Sequence, residues 1–129
     1  MNFKPEFEKK NLHVANYESI QKYMVPLNHM VTFKPDQSIH EAIATILDKR
    51  ISGAPVLDEH NRLVGNLSEK DCLRIVLDQA YHNLPVEDKK VSDYMSTKVF
   101  TFSPKTNVVE AAIEFLNSPP GIPVVCTYW

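Results

Sequence analysis

The sequence carries one unit twice. Val31-Thr32-Phe33-Lys34-Pro35 matches Phe100-Thr101-Phe102-Ser103-Pro104 at an offset of 69 residues. At that offset Ser38 meets Asn107 and Glu41 meets Glu110, so each copy opens a helix with a capping residue and an acid three positions on. Ile39, Ala42, Ile43, Ile46 and Leu47 meet Val108, Ala111, Ala112, Phe115 and Leu116, both at helical spacing. One deletion later, Ala54-Pro55-Val56-Leu57 meets Ile122-Pro123-Val124-Val125. Shared amphipathic periodicity alone is weak evidence, but matching prolines, caps and apolar sets together define a repeat. Each copy reads strand, helix, strand, which implies a right-handed parallel crossover. So small a sheet cannot bury both its faces. The two copies are therefore expected to pack about a pseudo-twofold axis, with a ligand cleft where they meet.

The first copy runs on. Gly53 lies just past the Ser38 helix and suits its termination or a turn. After the strand at Ala54–Leu57 comes an all-polar turn, Asp58 to Arg62, then a second strand, Leu63-Val64-Gly65-Asn66-Leu67. Ser68 falls where this strand ends and a helix opens, and Cys72, Leu73, Val76, Leu77 and Ala80 give that helix an apolar stripe. Asp71 stands three residues after Ser68. This puts a hydroxyl, a carboxylate and unpaired N–H groups at one helix start, and such an end attracts phosphate because its free N–H groups and dipole favour an anion. The same spacing is also that of a capping box, which needs no ligand, and the two roles can share atoms.

Elsewhere the chain is less specific. Residues 1–15 read as a polar lead-in and residues 17–24 as a short helix ended by Pro26. Residues 81–90 form a polar connector, and Val91-Ser92-Asp93-Tyr94-Met95 reads as one helical turn. A net charge of −2 offers no footprint for nucleic acid or an anionic membrane surface. No apolar run is long enough to span a bilayer and no signal core opens the chain, so a cytoplasmic protein is expected. Cys72 and Cys126 are far apart in apolar surroundings and read as buried thiols. The five histidines show no zinc-site spacing, so no metal site is assigned. With only three glycines there is no phosphate-cradling loop, and no nucleophilic triad is readable; no catalytic residue is assigned and the chain is not read as an enzyme.

These residues resemble a tandem pair of cystathionine β-synthase (CBS) domains, a Bateman module. The resemblance is carried by Met24, the Val31–Pro35 segment, the Ser38–Leu47 helix, Ser52-Gly53-Ala54-Pro55-Val56, Gly65-Asn66-Leu67-Ser68-Glu69-Lys70-Asp71, and Val91–Met95 as the opening of a second repeat. It implies an α/β (α+β) fold of two β-α-β-β-α repeats: a lead-in over 1–23, one repeat over 24–80, a linker over 81–94 and a partial repeat over 95–129. The second copy lacks the turn, the Ser/Thr-x-x-Asp segment and the last helix, so one fully equipped site is expected.

The resemblance also implies a regulatory module that needs no cofactor and binds AMP, ADP, ATP or S-adenosylmethionine between repeats. Ser68 would contact phosphate; Lys70, next to Asp71, is itself read as a binding residue. Asp71 would hold the ribose hydroxyls, Ile51, Ala54 and Pro55 would pack near the adenine, and Val31 and Thr32 would read the base edge through their backbone. Asn66 departs from the family, where this position is usually apolar. A homodimer is implied, with Ile75, Leu77, Val109 or Phe115 at its interface, and a regulated protein on another chain. The alternative is a structural, dimerising module with a vestigial, empty site.

Overall fold

The computed structural model describes residues 17–83, 85, 87–118 and 124–126, with the backbone alone for Phe102 and 124–126. The fold is α+β. Its contacts gather the chain into two units, one of Val31–Lys98 and one of Met1–Met30 with Val99–Trp129.

In the Val31–Lys98 unit, helix α1 (Ile39–Lys49) leads to strand β1 (Gly53–Leu57), strand β2 (Leu63–Ser68), helix α2 (Glu69–Ala80) and a single turn, α3 (Val91–Tyr94). β1 and β2 are antiparallel, with Gly53 opposite Ser68, Ala54 opposite Leu67, Pro55 opposite Asn66 and Val56 opposite Gly65. Phe33 lies parallel to Val56, donating its N–H to the Pro55 carbonyl (3.0 Å) and accepting from the Leu57 N–H (2.9 Å). The expected parallel strand-helix-strand unit is thus present, with its first strand reduced to a bridge.

Pro55 sits mid-sheet without cost. The Asn66 N–H and carbonyl opposite it both bond Ser96 at 2.9 Å, so the ladder requires no donor from the proline. The hairpin is closed by Asp58, whose Oδ1 accepts from the His60 and Arg62 N–H groups at 2.9 Å, while Asn61 takes the left-handed conformation (φ 59°) that its short polar side chain tolerates.

Period-two alternation gives the hairpin two unlike faces. Ala54, Val56 and Leu67 face inward with Phe33, Ile39, Ala42, Ile46, Ile75, Val91 and Tyr94, forming one core. Each large side chain fully enclosed there contributes about 1.5–3 kcal/mol. The first helix departs from expectation at both ends. Ser38 makes no side-chain cap, so its expected capping box does not form; the leading N–H, that of Ile39, goes to the Lys89 carbonyl instead (3.1 Å). The C-terminus is closed by Arg50 in the left-handed conformation (φ 54°), with the Ile51 N–H reaching back to the Ile46 carbonyl, and not by Gly53. Gly53 serves the hairpin: a Cβ there would lie 2.7 Å from the Leu67 carbonyl oxygen.

The apolar stripe expected on α2 is also displaced. Ile75 is buried and Cys72 packs beside the core, whereas Leu73, Val76 and Leu77 are exposed. Positions 72 and 75 and positions 73, 76, 77 and 80 both have helical spacing, so periodicity alone could not choose between them. Helix α4 (Val108–Asn117) repeats the pattern: Ile113 is buried while Phe115 and Leu116 are exposed.

In the other unit, β3 (Phe100–Phe102) and β4 (Val124–Cys126) are parallel, as the repeat requires, with α4 between them in sequence. The pairing of Phe102 with Cys126 runs two residues beyond the equivalence of Pro55 with Pro123. The expected helix over 17–24 is a 3-10 turn at Ile20–Tyr23 capped by Ser19, with a second at Leu27–His29 after Pro26. Ser19 bridges Asn107, with the Ile20 N–H bonding the Thr106 carbonyl and the Val108 N–H the Glu18 carbonyl, both at 2.9 Å. The other unit bridges Ser38 to Lys90 in the same way. Ile20-Gln21-Lys22-Tyr23-Met24 is therefore the counterpart of Val91-Ser92-Asp93-Tyr94-Met95, an element of the repeat that sequence comparison missed. Each lead-in docks on the helix start of the repeat it does not precede.

Gly65 tests the packing of this hairpin. A Cβ there would lie 2.7 Å from the Met95 sulfur and 2.8 Å from the Ser96 carbonyl oxygen, which is fixed by its bond to Asn66. Gly65→Ala is expected to destabilise the protein by about 1–3 kcal/mol in chemical denaturation; an unchanged midpoint would show that the Ser96 backbone is not held against β2.

Candidate functional site

The junction of β2 and α2 gathers Ser68, Asp71 and Arg74 into one bonded polar group. Ser68 is extended (φ −116°, ψ 168°), the backbone of an N-cap, and α2 begins at the next residue. Its Oγ accepts the Asp71 N–H at 3.3 Å, and Asp71 Oδ2 accepts both the Ser68 N–H (2.9 Å) and the Ser68 hydroxyl (3.0 Å). The capping box is therefore complete. Asp71 Oδ1 meets Arg74 Nη2 at 3.3 Å, and the same guanidinium nitrogen donates to the Tyr94 carbonyl at 2.6 Å. The Asp71 side chain is 13% exposed, against 56% for Arg74. Sequence reasoning passed over Arg74; the Asp71–Arg74 spacing of three on a helix was the signal that could have found it. Glu69, the first residue of α2, gives its N–H to the Ser52 carbonyl (2.9 Å).

Alternation sorts the remaining candidates. Paired residues of an antiparallel ladder share a face, so Gly53, Pro55, Asn66 and Ser68 lie on the side away from the core. Extending the Phe33–Val56 pairing back by one residue sets Thr32 beside Pro55. Thr32, Pro55 and Ser68 are thus brought together on one face. Ala54 is not among them: its side chain is buried in the core, opposite Leu67. Val31 and Ile51 also pack against the core. Lys70 is exposed on the first turn of α2. Among the described residues no group of acids, histidines or cysteines is arranged to hold a metal ion, and no helix is long and apolar enough to cross a membrane.

Next to Asp71, burial, reinforced by the negative charges of Asp71 and Glu69, pushes the Cys72 thiol above its ordinary pKa. Tyr94 is raised likewise, first by burial and then by its hydrogen bond to Asp78 Oδ2 (2.9 Å).

Two measurements check this geometry. Ser68→Ala is expected to cost about 1 kcal/mol through the lost cap, whereas Ser38→Ala, which removes no cap bond, is expected to stay within about 0.5 kcal/mol of wild type. Equal effects of the two substitutions would contradict the assignment. In a Cys126→Ser background, the pH profile of Cys72 alkylation is expected to be centred at higher pH than in the urea-unfolded chain, because only the thiolate reacts. A coincident profile would remove the argument from burial.

The CBS domain matches residues 20–78 and 91–127. The chain is 28% identical over 121 residues to an uncharacterized protein of Methanocaldococcus jannaschii, covering 93% of this chain and 41% of that one. It is 33% identical over 87 residues to inosine-5'-monophosphate dehydrogenase of Aquifex aeolicus, covering 67% of this chain and 16% of the enzyme. It thus spans well under half the length of these curated relatives. Among solved structures, CBSX2 of Arabidopsis thaliana in complex with AMP superposes with a TM-score of 0.62 at 25% identity, covering 84% of this chain and 82% of that one. The chain belongs to the CBS domain family, and carries a tandem pair of such domains.

Proposed function

We propose that this chain is a regulatory module that binds an adenine nucleotide and acts on a protein carried on another chain. The observation that carries this reading is the likeness to CBSX2, a CBS-pair protein solved with AMP. The chemistry of the α2 start supports it. A 12-residue helix presents a partial positive charge at its N-terminus, beside the Ser68 hydroxyl and the exposed Lys70 ammonium. These provide for a phosphate such as AMP, ADP or ATP carries, beside the Glu69 and Asp71 carboxylates of the same turn. A carboxylate offers about four acceptor sites. In Asp71, Oδ2 takes two donors from Ser68 and Oδ1 only Arg74. The exposed Arg74 side chain is free to yield Oδ1 to ribose hydroxyls while the cap stays intact. Ligand and cap then share one carboxylate, with Pro55 and Thr32 flanking the base on the outer hairpin face.

A second reading, a structural module with an empty site, draws support from the same bonds, since each Asp71 oxygen already has a partner within the chain. Both readings accommodate a homodimer. Ile75 is buried in the core and cannot serve as its interface, whereas Leu73, Val76 and Leu77 on α2 and Phe115 on α4 are exposed. Neither reading assigns catalysis to the chain.

The two are separated by melting the protein with and without AMP. A ligand at a hundred times its Kd adds about 2.7 kcal/mol of stability. AMP is expected to raise the melting temperature of the wild type, and Asp71→Ala to abolish the rise beyond its own loss of the cap. No rise with AMP, ADP or ATP at millimolar concentration would leave the structural reading.

A further inference from the structure

On the hairpin strands, Asn66 is the outer-face residue whose side-chain polar group the cap does not use. It is nine-tenths buried, on β2 between the core residues Gly65 and Leu67, yet alternation turns its side chain away from them. Its backbone is spoken for, both groups bonding Ser96. Among the described residues its carboxamide has no hydrogen-bond partner, and since no fully enclosed polar atom is left unpaired, that head must keep an opening to water. With water as its only partner, the carboxamide contributes no bond to the fold, and an apolar side chain of similar size could take its place there. Asn66 and Ser68 are two residues apart on one face, about 7 Å along the strand, and Pro55 is directly opposite Asn66. A donor–acceptor pair with no protein partner, open to water, therefore sits beside the seryl–aspartyl helix start, at a spacing that a nucleoside spans.

We infer that Asn66 is a specificity-determining residue that reads the base of the bound nucleotide, its carboxamide pairing with a neighbouring donor and acceptor on the ring edge. Adenine offers such a pair in its 6-amino group and either adjacent ring nitrogen, and asparagine matches it with two bonds. This inference rests on the nucleotide reading above and adds to it the source of base selectivity. Ser68 and Asp71 hold phosphate and ribose, which every nucleotide has; Asn66 distinguishes the base.

The test is titration calorimetry with AMP and with purine riboside 5′-monophosphate, which lacks the 6-amino group. Wild type is expected to prefer AMP by about tenfold or more, the worth of one buried hydrogen bond. In Asn66→Val the AMP affinity is expected to fall about tenfold and the preference to collapse toward one, while the variant melts no lower than wild type. Asn66→Ala, which removes the head without adding branching, serves if the valine does not fit. A wild type that does not discriminate, or variants that keep the preference, would overturn the role of Asn66 and leave the nucleotide reading intact. A wild type that binds neither nucleotide would overturn both.

Discussion

The β1–β2 ladder is the constraint on which the Val31–Lys98 unit depends. Its alternation commits Ala54, Val56 and Leu67 to the core, and with them the packing of Phe33, α1, Ile75 and α3. The same alternation gives the opposite face to Pro55, Asn66 and Ser68. A slip of one residue would exchange the faces, exposing Leu67 and burying the cap. Two glycines hold the register by permitting close approach: Gly53 to the Leu67 carbonyl and Gly65 to Met95 and Ser96. Fold and site are thus set by one pairing, and the helix start at Ser68 is placed by where the strand ends.

The cap and the candidate site use one set of atoms. Ser68 and Asp71 satisfy each other, and Arg74 ties the carboxylate to the α3 carbonyl at Tyr94. This arrangement holds Asp71 in a fixed orientation before a ligand arrives, which lowers the ordering cost of binding. It also joins the site to α3, the turn that docks on the start of α1 through Lys90 and Ser38. A ligand that displaced Arg74 from Asp71 would act on the α2–α3 contact, a physical route from occupancy to a change in shape.

Much of this was legible in the residues. The repeat at an offset of 69, the polar Asp58–Arg62 turn, the parallel crossover and the Ser68–Asp71 helix start were all written in side-chain chemistry, as was membership of the CBS family. The misreadings share one cause: a local pattern satisfied by two geometries. Ser38 and Ser68 are each followed by an acid three residues on, but the Lys89–Lys90 backbone meets the first helix start, and only the second forms the box. On α2 two stripes have equal helical spacing, and tertiary packing chose the one holding Ile75. Ala54 and Pro55 are adjacent, so a strand must send them to opposite faces, and which one meets the core depends on a register that no single residue reveals. The kinship of Ile20–Met24 with Val91–Met95 escaped notice because its offset differs by two residues from that of the main repeat.

The central claim is that the outer face of this hairpin and the start of α2 form one nucleotide site. A ¹⁵N–¹H correlation spectrum recorded through an AMP titration tests it most directly. The account predicts that the largest saturable shifts fall on the backbone amides of Ser68, Lys70 and Asp71 and on the side-chain amide of Asn66, with the amides of core residues Val56 and Leu67 moving less. Saturable shifts that leave these groups unmoved and gather elsewhere in the chain would contradict it.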